Sequence, residues 1–379
     1  ASDLEARKIK VRYQVSNSVP SGAYFRQTFP KIADDMLDCR DIKMRFNLNI
    51  TSTDAATCVD STTVQSIFNR VRILSGSTVL CDINQASLCF QLERLVQSAV
   101  HDSPYEKYLI GDESQATRQA YPATREYICS IAPIGTLLNC GALLPLSRMS
   151  DLHVEIWLES SSRCLYSGSD GSPDYNISDI ELLTTYIRSP SLSAHFNGNP
   201  LSFHVNDVTH RYANVLNQQS LIRWSSAHTS LNKTITVLRQ QSNVAAGDYP
   251  GKMSTFYSGA NTQSYNAFIN NVLYFEEDID SQPESWQQFR SAFPEVKHSE
   301  FFDSDFNTTK NVFALNVQAA PRFHEYITSG VKTSNLNSDI VLRVNFNGTP
   351  STPLQADSFL ISDALIYLDG ARGDLKVKY

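Results

Sequence analysis

At 379 residues, 41% hydrophobic and 19% charged, the chain is long enough for two ordinary domains and too apolar to stay unfolded. Its formal charge of −7 is spread without a basic block, and the Lys8/Lys10/Arg12 and Lys376/Lys378 groups are small. That argues against direct, sequence-specific nucleic-acid binding, which needs a concentrated cationic footprint. The chain opens Ala1-Ser2-Asp3-Leu4-Glu5 without an apolar leader, so the expectation is synthesis and folding in the cytoplasm.

In chain order, Ile9–Val15 alternates as a strand. Ile42, Met44, Phe46, Leu48 and Ile50 then alternate with Lys43, Arg45, Asn47 and Asn49, the pattern of a half-buried strand. Phe68–Leu80 reads as two strands around Ser75-Gly76-Ser77, a hairpin signal. Leu88, Leu92, Leu95 and Val96 recur at helical spacing between Asn84, the expected cap, and Val100. Tyr127–Leu146 holds no charge over 20 residues. Pro133, Pro145, Gly135 and Gly141 would leave its backbone unsatisfied in lipid, so it is expected to be a buried strand and a covered loop. A segment rich in Ser, Pro, Gly and Asn, Ser189–Pro200, marks the join between two halves. In the second half, Pro283 suits the first turn of a helix ending near Phe293, with Pro294 as its stop and Asp280 a candidate cap. Long polar loops are expected at His101–Arg125, Ser160–Asn176 and Gln240–Gln263; loops of that length usually carry binding or assembly contacts.

The halves repeat. Leu152, Val154, Ile156 and Leu158 alternate as Ile340, Leu342, Val344 and Phe346 do, at an offset of 188 residues. The same offset aligns Ala132-Pro133 with Ala320-Pro321 and Ser150-Asp151 with Ser338-Asp339. Ile177-Ser178-Asp179 answers Ile361-Ser362-Asp363 at an offset of 184, and Asp82-Ile83-Asn84 answers Asp278-Ile279-Asp280 at 196. Near-constant offsets in a fixed order indicate a tandem duplication. The reading is all-β: two tandem β-sandwiches, residues 1–195 and 196–379, each with one inserted helix, long loops and Greek-key wiring.

The run Ser66–Ile83 with the helix after it, and the run from Phe313–Gln318 through Asp339–Phe346 to Ser358–Leu368, resemble the double jelly-roll major capsid proteins. These form shells of tailless membrane-containing bacteriophages, adenoviruses, virophages and polinton-like viruses. The resemblance implies two jelly rolls per chain and a homotrimer whose six sandwiches make a pseudo-hexagonal capsomer. Such capsomers tile an icosahedral shell beside neighbouring capsomers, penton and minor capsid proteins, in some members over an internal membrane. It implies a virion location and no enzymatic activity.

No catalytic, cofactor-binding or metal-ligating residue is assigned. G-x-S-x-G, H-E-x-x-H and phosphate-loop patterns are absent. The eight histidines (His101, His153, His195, His204, His210, His228, His298, His324) are scattered. Glu276-Glu277-Asp278 with Asp280 is the densest acidic run, but lacks calcium-loop spacing. Arg372-Gly373-Asp374 matches an integrin-binding tripeptide that also recurs by chance. All seven cysteines (Cys39, Cys58, Cys81, Cys89, Cys129, Cys140, Cys164) lie in the first half, so buried free thiols are expected. The sequons at Asn49, Asn176, Asn232, Asn307 and Asn347 follow from an Asn-, Ser- and Thr-rich composition. Trp157, Trp224 and Trp286 stand apart. The alternative function is a two-domain β-sandwich that binds or processes glycans, which would call for secretion and cysteine pairs in both halves.

Overall fold

The computed structural model describes residues 5–13, 17–60, 63–96, 108–111, 114–169, 171–196, 199–225, 227–241, 256–293, 310–318, 330–333, 339–368, 373 and 375–378. The first half holds β1 (Glu5–Arg12), β2 (Ser18–Pro20), β3 (Tyr24–Thr28), β4 (Asp35–Thr51), β5 (Cys58–Val59) and β6 (Phe68–Ser75). After these come β7 (Thr78–Asn84), the helix α1 (Ala86–Val96), β8 (Thr124–Ser130), β9 (Leu143–Leu144), β10 (Leu152–Leu158), β11 (Leu165–Tyr166) and β12 (Asp174–Arg188). The second half holds β13 (Leu201–Val215), β14 (Gln219–Ser225), β15 (Leu231–Gln240), β16 (Thr262–Ile269) and β17 (Val272–Leu273). A helix at Gln282–Ala292 follows, then β18 (Val312–Asn316), β19 (Asp339–Phe346), β20 (Leu354–Leu368) and β21 (Leu375–Lys378).

Each half makes two main antiparallel sheets among the described residues, and the first also pairs β5 with β11. In the first they run β1-β12-β4-β8 and β3-β10-β6-β7; in the second, β13-β20-β15-β18 and β14-β19-β16-β17. Setting aside the short β2, β5, β9, β11 and β21, each half has eight described strands, joined in the same order: first-eighth-third-sixth and second-seventh-fourth-fifth. This is jelly-roll wiring, present twice. Strands β10 and β19, whose matching alternation marks the repeat, are both the seventh strand. No described sheet mixes strands from the two halves.

Local sequence explains the elements. In β4, Ile42, Met44, Phe46 and Leu48 point into the core and Lys43, Arg45, Asn47 and Asn49 point away, as a period of two requires. Gly76 turns the β6–β7 hairpin at φ +57°, where an added Cβ would meet Ser150 Cβ at 3.1 Å. The charge-free segment from Tyr127 runs through the end of β8 into short turns that bury Ile131, Leu137, Leu138 and Leu146.

Two expected caps are corrected. Asn84 does not cap α1: it stays paired with Arg70 in the β6–β7 ladder. Gln85, at φ +52°, makes the corner, and its carbonyl accepts from Leu88 N and Cys89 N. In the second half Ser281, not Asp280, caps the helix; its hydroxyl accepts from Glu284 N at 3.4 Å, with Pro283 in the first turn. The first strand begins earlier than expected, at Glu5, and ends at Arg12. Residues 14–16, 97–100, Pro294, Ala320, Pro321 and Ser338 lie outside the described residues, as do residues 101–107, 112–113 and 242–255 of the expected loops.

The core is not divided as the sheets are. One cluster fills the second sandwich alone, with Trp224, Tyr265, Phe313, Leu342, Phe346 and Leu360 among its members. The other fills the first sandwich and continues into the second half through Val208, Ile235, Val237, Val312, Ala314 and Phe359. Strands β15, β18 and β20 therefore bury apolar side chains on both faces. In β18, Val312 and Ala314 face the shared core while Phe313 and Leu315 face the second sandwich. The continuous apolar run of β18, Val312–Leu315, is what a doubly covered strand demands.

Candidate functional site: polar clusters and surfaces of the two sandwiches

The outer face of the β13-β20-β15 sheet carries the largest buried polar clusters. Asp357 on β20 is 0% exposed and accepts from Arg239 Nε at 2.9 Å and Nη2 at 2.7 Å. Gln355 Nε2 donates to it at 2.9 Å, and His210 Nε2 lies 3.0 Å away. Burial works to raise its pKa, but the His210 hydrogen bond and the Arg239 charge outweigh that and hold the carboxyl below its ordinary value. Further along β20, Asp363 accepts from Ser230 Oγ at 2.6 Å and Asn232 Nδ2 at 2.7 Å, with His204 Nε2 at 3.5 Å. Ser362 Oγ lies 3.1 Å from His228 Nδ1, and burial lowers the pKa of that ring.

The described histidines do not converge. His204 and His210 serve different aspartates, His228 is buried beside Ser362, and His153 Nδ1 sits 2.9 Å from Thr28 Oγ1. His195 lies on the helix Pro190–Phe196 at the join. His101, His298 and His324 fall outside the described residues. No group of three or more His, Cys, Asp or Glu able to hold a metal occurs among the described residues. No described helix is long and apolar enough to cross a membrane.

The acidic run splits in two. Asp278 accepts from Asn266 Nδ2 at 2.9 Å and pairs with Arg343; the Asn266 bond first, and the Arg343 charge with it, lower its pKa. Glu276, Glu277 and Asp280 are exposed. Of the tripeptide Arg372-Gly373-Asp374, only Gly373 is described; its carbonyl accepts from Ser150 N at 3.3 Å, tying the chain's end to the first half. Trp224 is buried in the second core and Trp286 stacks on Phe289 at 5.5 Å.

Trp157 sits in a cluster that the sequence reading missed. On the outer face of β3-β10-β6-β7 it packs 4.8 Å from Tyr24, with the Arg70 guanidinium 5.0 Å from its ring. Arg70 pairs with Asp82, Arg72 lies 3.5 Å from Glu155, and Tyr24 OH donates to Glu155 at 3.0 Å. The signal was present: alternation puts Glu155 and Trp157 opposite Val154 and Ile156, and Arg70 and Arg72 beside Val71. Pairing them needs the β10–β6 register, Glu155 to Arg72, which sequence does not state. All seven cysteines are free, as expected, and six are buried.

Between the halves lies a cavity of about 250 Å³, lined by Leu92, Glu93, Ile134, Val208, Phe359 and Ile361 among others. The Glu93 carboxylate accepts from Ile134 N, and burial pushes its pKa up to about 7. Nearby, Asn206 N donates to Gly135 O at 2.8 Å, and Arg148 Nη2 donates to Asn199 O at 3.1 Å.

No known family profile matches the sequence, and no curated protein matches it. Solved structures do match along nearly the whole chain. PBCV-1 VP54, as fitted into a reconstruction of the virophage Sputnik, is 12% identical with a TM-score of 0.69, covering 99% of this chain and 97% of that one. The Faustovirus major capsid protein is 10% identical with a TM-score of 0.61, covering 96% and 90%. The mavirus major capsid protein is 11% identical with a TM-score of 0.56, covering 97% and 90%. The fold is thus an all-β double jelly roll, and the chain resembles viral major capsid proteins in fold.

Proposed function

We propose that this chain is a viral major capsid protein: a non-enzymatic structural subunit whose homotrimers form pseudo-hexagonal capsomers of an icosahedral virion. Its two jelly rolls are residues 1–195 and 196–379, with the boundary at the end of the helix Pro190–Phe196. One observation carries the reading: two sandwiches of identical strand order lie within one chain, matched over nearly its full length by capsid subunits. Two similar modules per chain give six around a threefold axis, which is how a trimer comes to have a hexagonal outline. The partners are further copies of the chain, neighbouring capsomers, penton and minor capsid proteins, and in some assemblies an internal membrane. The particle, assembled after synthesis in the host cytoplasm, is its location.

Light scattering coupled to gel filtration, followed by electron microscopy, tests this. The expected result is a dilution-stable species of about three times the 42.4 kDa chain mass, hexagonal in projection. A dilution-stable monomer that is retained on a glycan column would overturn it in favour of the glycan-binding alternative.

A further inference from the structure

The contact that joins the halves is used only once within a chain, although the duplication supplies its elements twice. The fifth strand of the first half, β7, lies against β13 and β21 of the second. There Leu80 and Cys81 are each only 3% exposed. The fifth-strand segment of the second half runs from β17 to Asp280, held to β16 by Tyr274 N donating to Ala267 O at 2.8 Å and by the Tyr265–Ile279 bridge. Here Val272 is 68% exposed, Leu273 41% and Tyr274 38%, and Glu276 and Glu277 are exposed beside them. The offset of 196 residues that aligns the two helices aligns buried Leu80 and Cys81 with Glu276 and Glu277.

The complementary element is also left over. The strand equivalent to β13 is β1, the open edge of its sheet. Ile9 and Val11 pack on the core while Lys8 and Lys10 face outward beside Arg12, which is held by Glu181 of its own chain at 2.7 Å. An acidic, partly apolar strip therefore stands unmatched at one end of the repeat and a basic strip at the other.

We propose that β1 of a second copy of this chain docks on residues 272–280, repeating between chains the β7–β13 contact made within each. Val272, Leu273 and Tyr274 supply apolar area. Lys8 and Lys10 against Glu276, Glu277 and Asp280 choose the partner and set its register, the role charge plays best at an interface. The contact is heterologous, with a different surface on each side, so it must close into a ring or run on as a filament. It closes after three chains if each supplies two of six equivalent positions, and in this the inference rests on the homotrimer reading.

Charge reversal tests it. Lys8→Glu with Lys10→Glu, and separately Glu276→Lys with Glu277→Lys, should each weaken association by about tenfold or more, read by light scattering on dilution. All four substitutions in one chain should restore it. In the unaltered protein, carbodiimide coupling in a mixture of isotopically light and heavy copies should join Lys8 or Lys10 to Glu276 or Glu277 between copies, which decides the matter should a variant misfold. An associating wild type that is indifferent to both reversals, or whose inter-copy links lie elsewhere, overturns this interface and leaves the homotrimer standing. A wild type that never associates overturns the homotrimer reading itself.

Discussion

Asn206 occupies the space that a side chain at position 135 would need. Its Nδ2 would lie 2.3 Å from a Cβ built on Gly135, while its backbone N–H donates to Gly135 O at 2.8 Å. A loop of the first half and the first strand of the second are fastened there by the absence of one carbon. Gly135 also sits at φ +82°, where L side chains are strained.

Gly135→Ala should therefore destabilise the chain by about 1–3 kcal/mol, from backbone strain and displacement of Asn206 together. Differential scanning calorimetry against Gly171→Ala, a site with nothing within 4 Å, is the check. Equal melting temperatures would refute the coupling.

Asp357→Asn should cost about 3–5 kcal/mol, because it strands the buried Arg239 beside His210 without an anion. Asp357 has a folded-state pKa below its unfolded value, so its stabilisation is fully present above the unfolded pKa, near 3.9, and is lost as pH falls through the lower folded one. Urea titrations at pH 3 to 7 should show a shallower acid slope in the variant.

Glu93 has the opposite sign. Its folded pKa is raised to about 7, so its contribution is fully present below the unfolded value, near 4.3, and is lost as pH rises through 7. Glu93→Gln should match the wild type at pH 4 and be the more stable of the two at pH 8. A melting-temperature difference that does not change with pH would contradict this.

Cys140 should be the first thiol alkylated in the native state: burial raises the pKa of all seven thiols, and Cys140 alone is partly exposed. Mass spectrometry after brief iodoacetamide treatment should find one fast adduct, and seven only after unfolding without reductant. A mapped native disulfide would count against folding in the cytoplasm.

The duplication was legible because alternation survives divergence: the seventh strands keep the same four inward positions although few identities remain. The helix caps were misread because the choice between Asn84 and Gln85, or Asp280 and Ser281, depends on where a strand ladder ends, which is a tertiary matter. The Asp357–Arg239–His210 cluster was not foreseen. Its members lie on three strands, β13, β15 and β20, whose registers bring them together. The sequence reading placed β20 in the repeat and β18 in the resemblance, but a strand apolar on both faces does not announce what covers its second face.

The core that runs from the first sandwich into Val208, Ile235, Val237 and Phe359 has a consequence for how the chain comes apart. A protease that cuts the join near Asn199 should leave a nicked protein that still migrates as one body until it is denatured. The peptide bond there is a tether, and the two halves hold each other without it. An isolated second half, made alone, would present that apolar sheet face to water and precipitate.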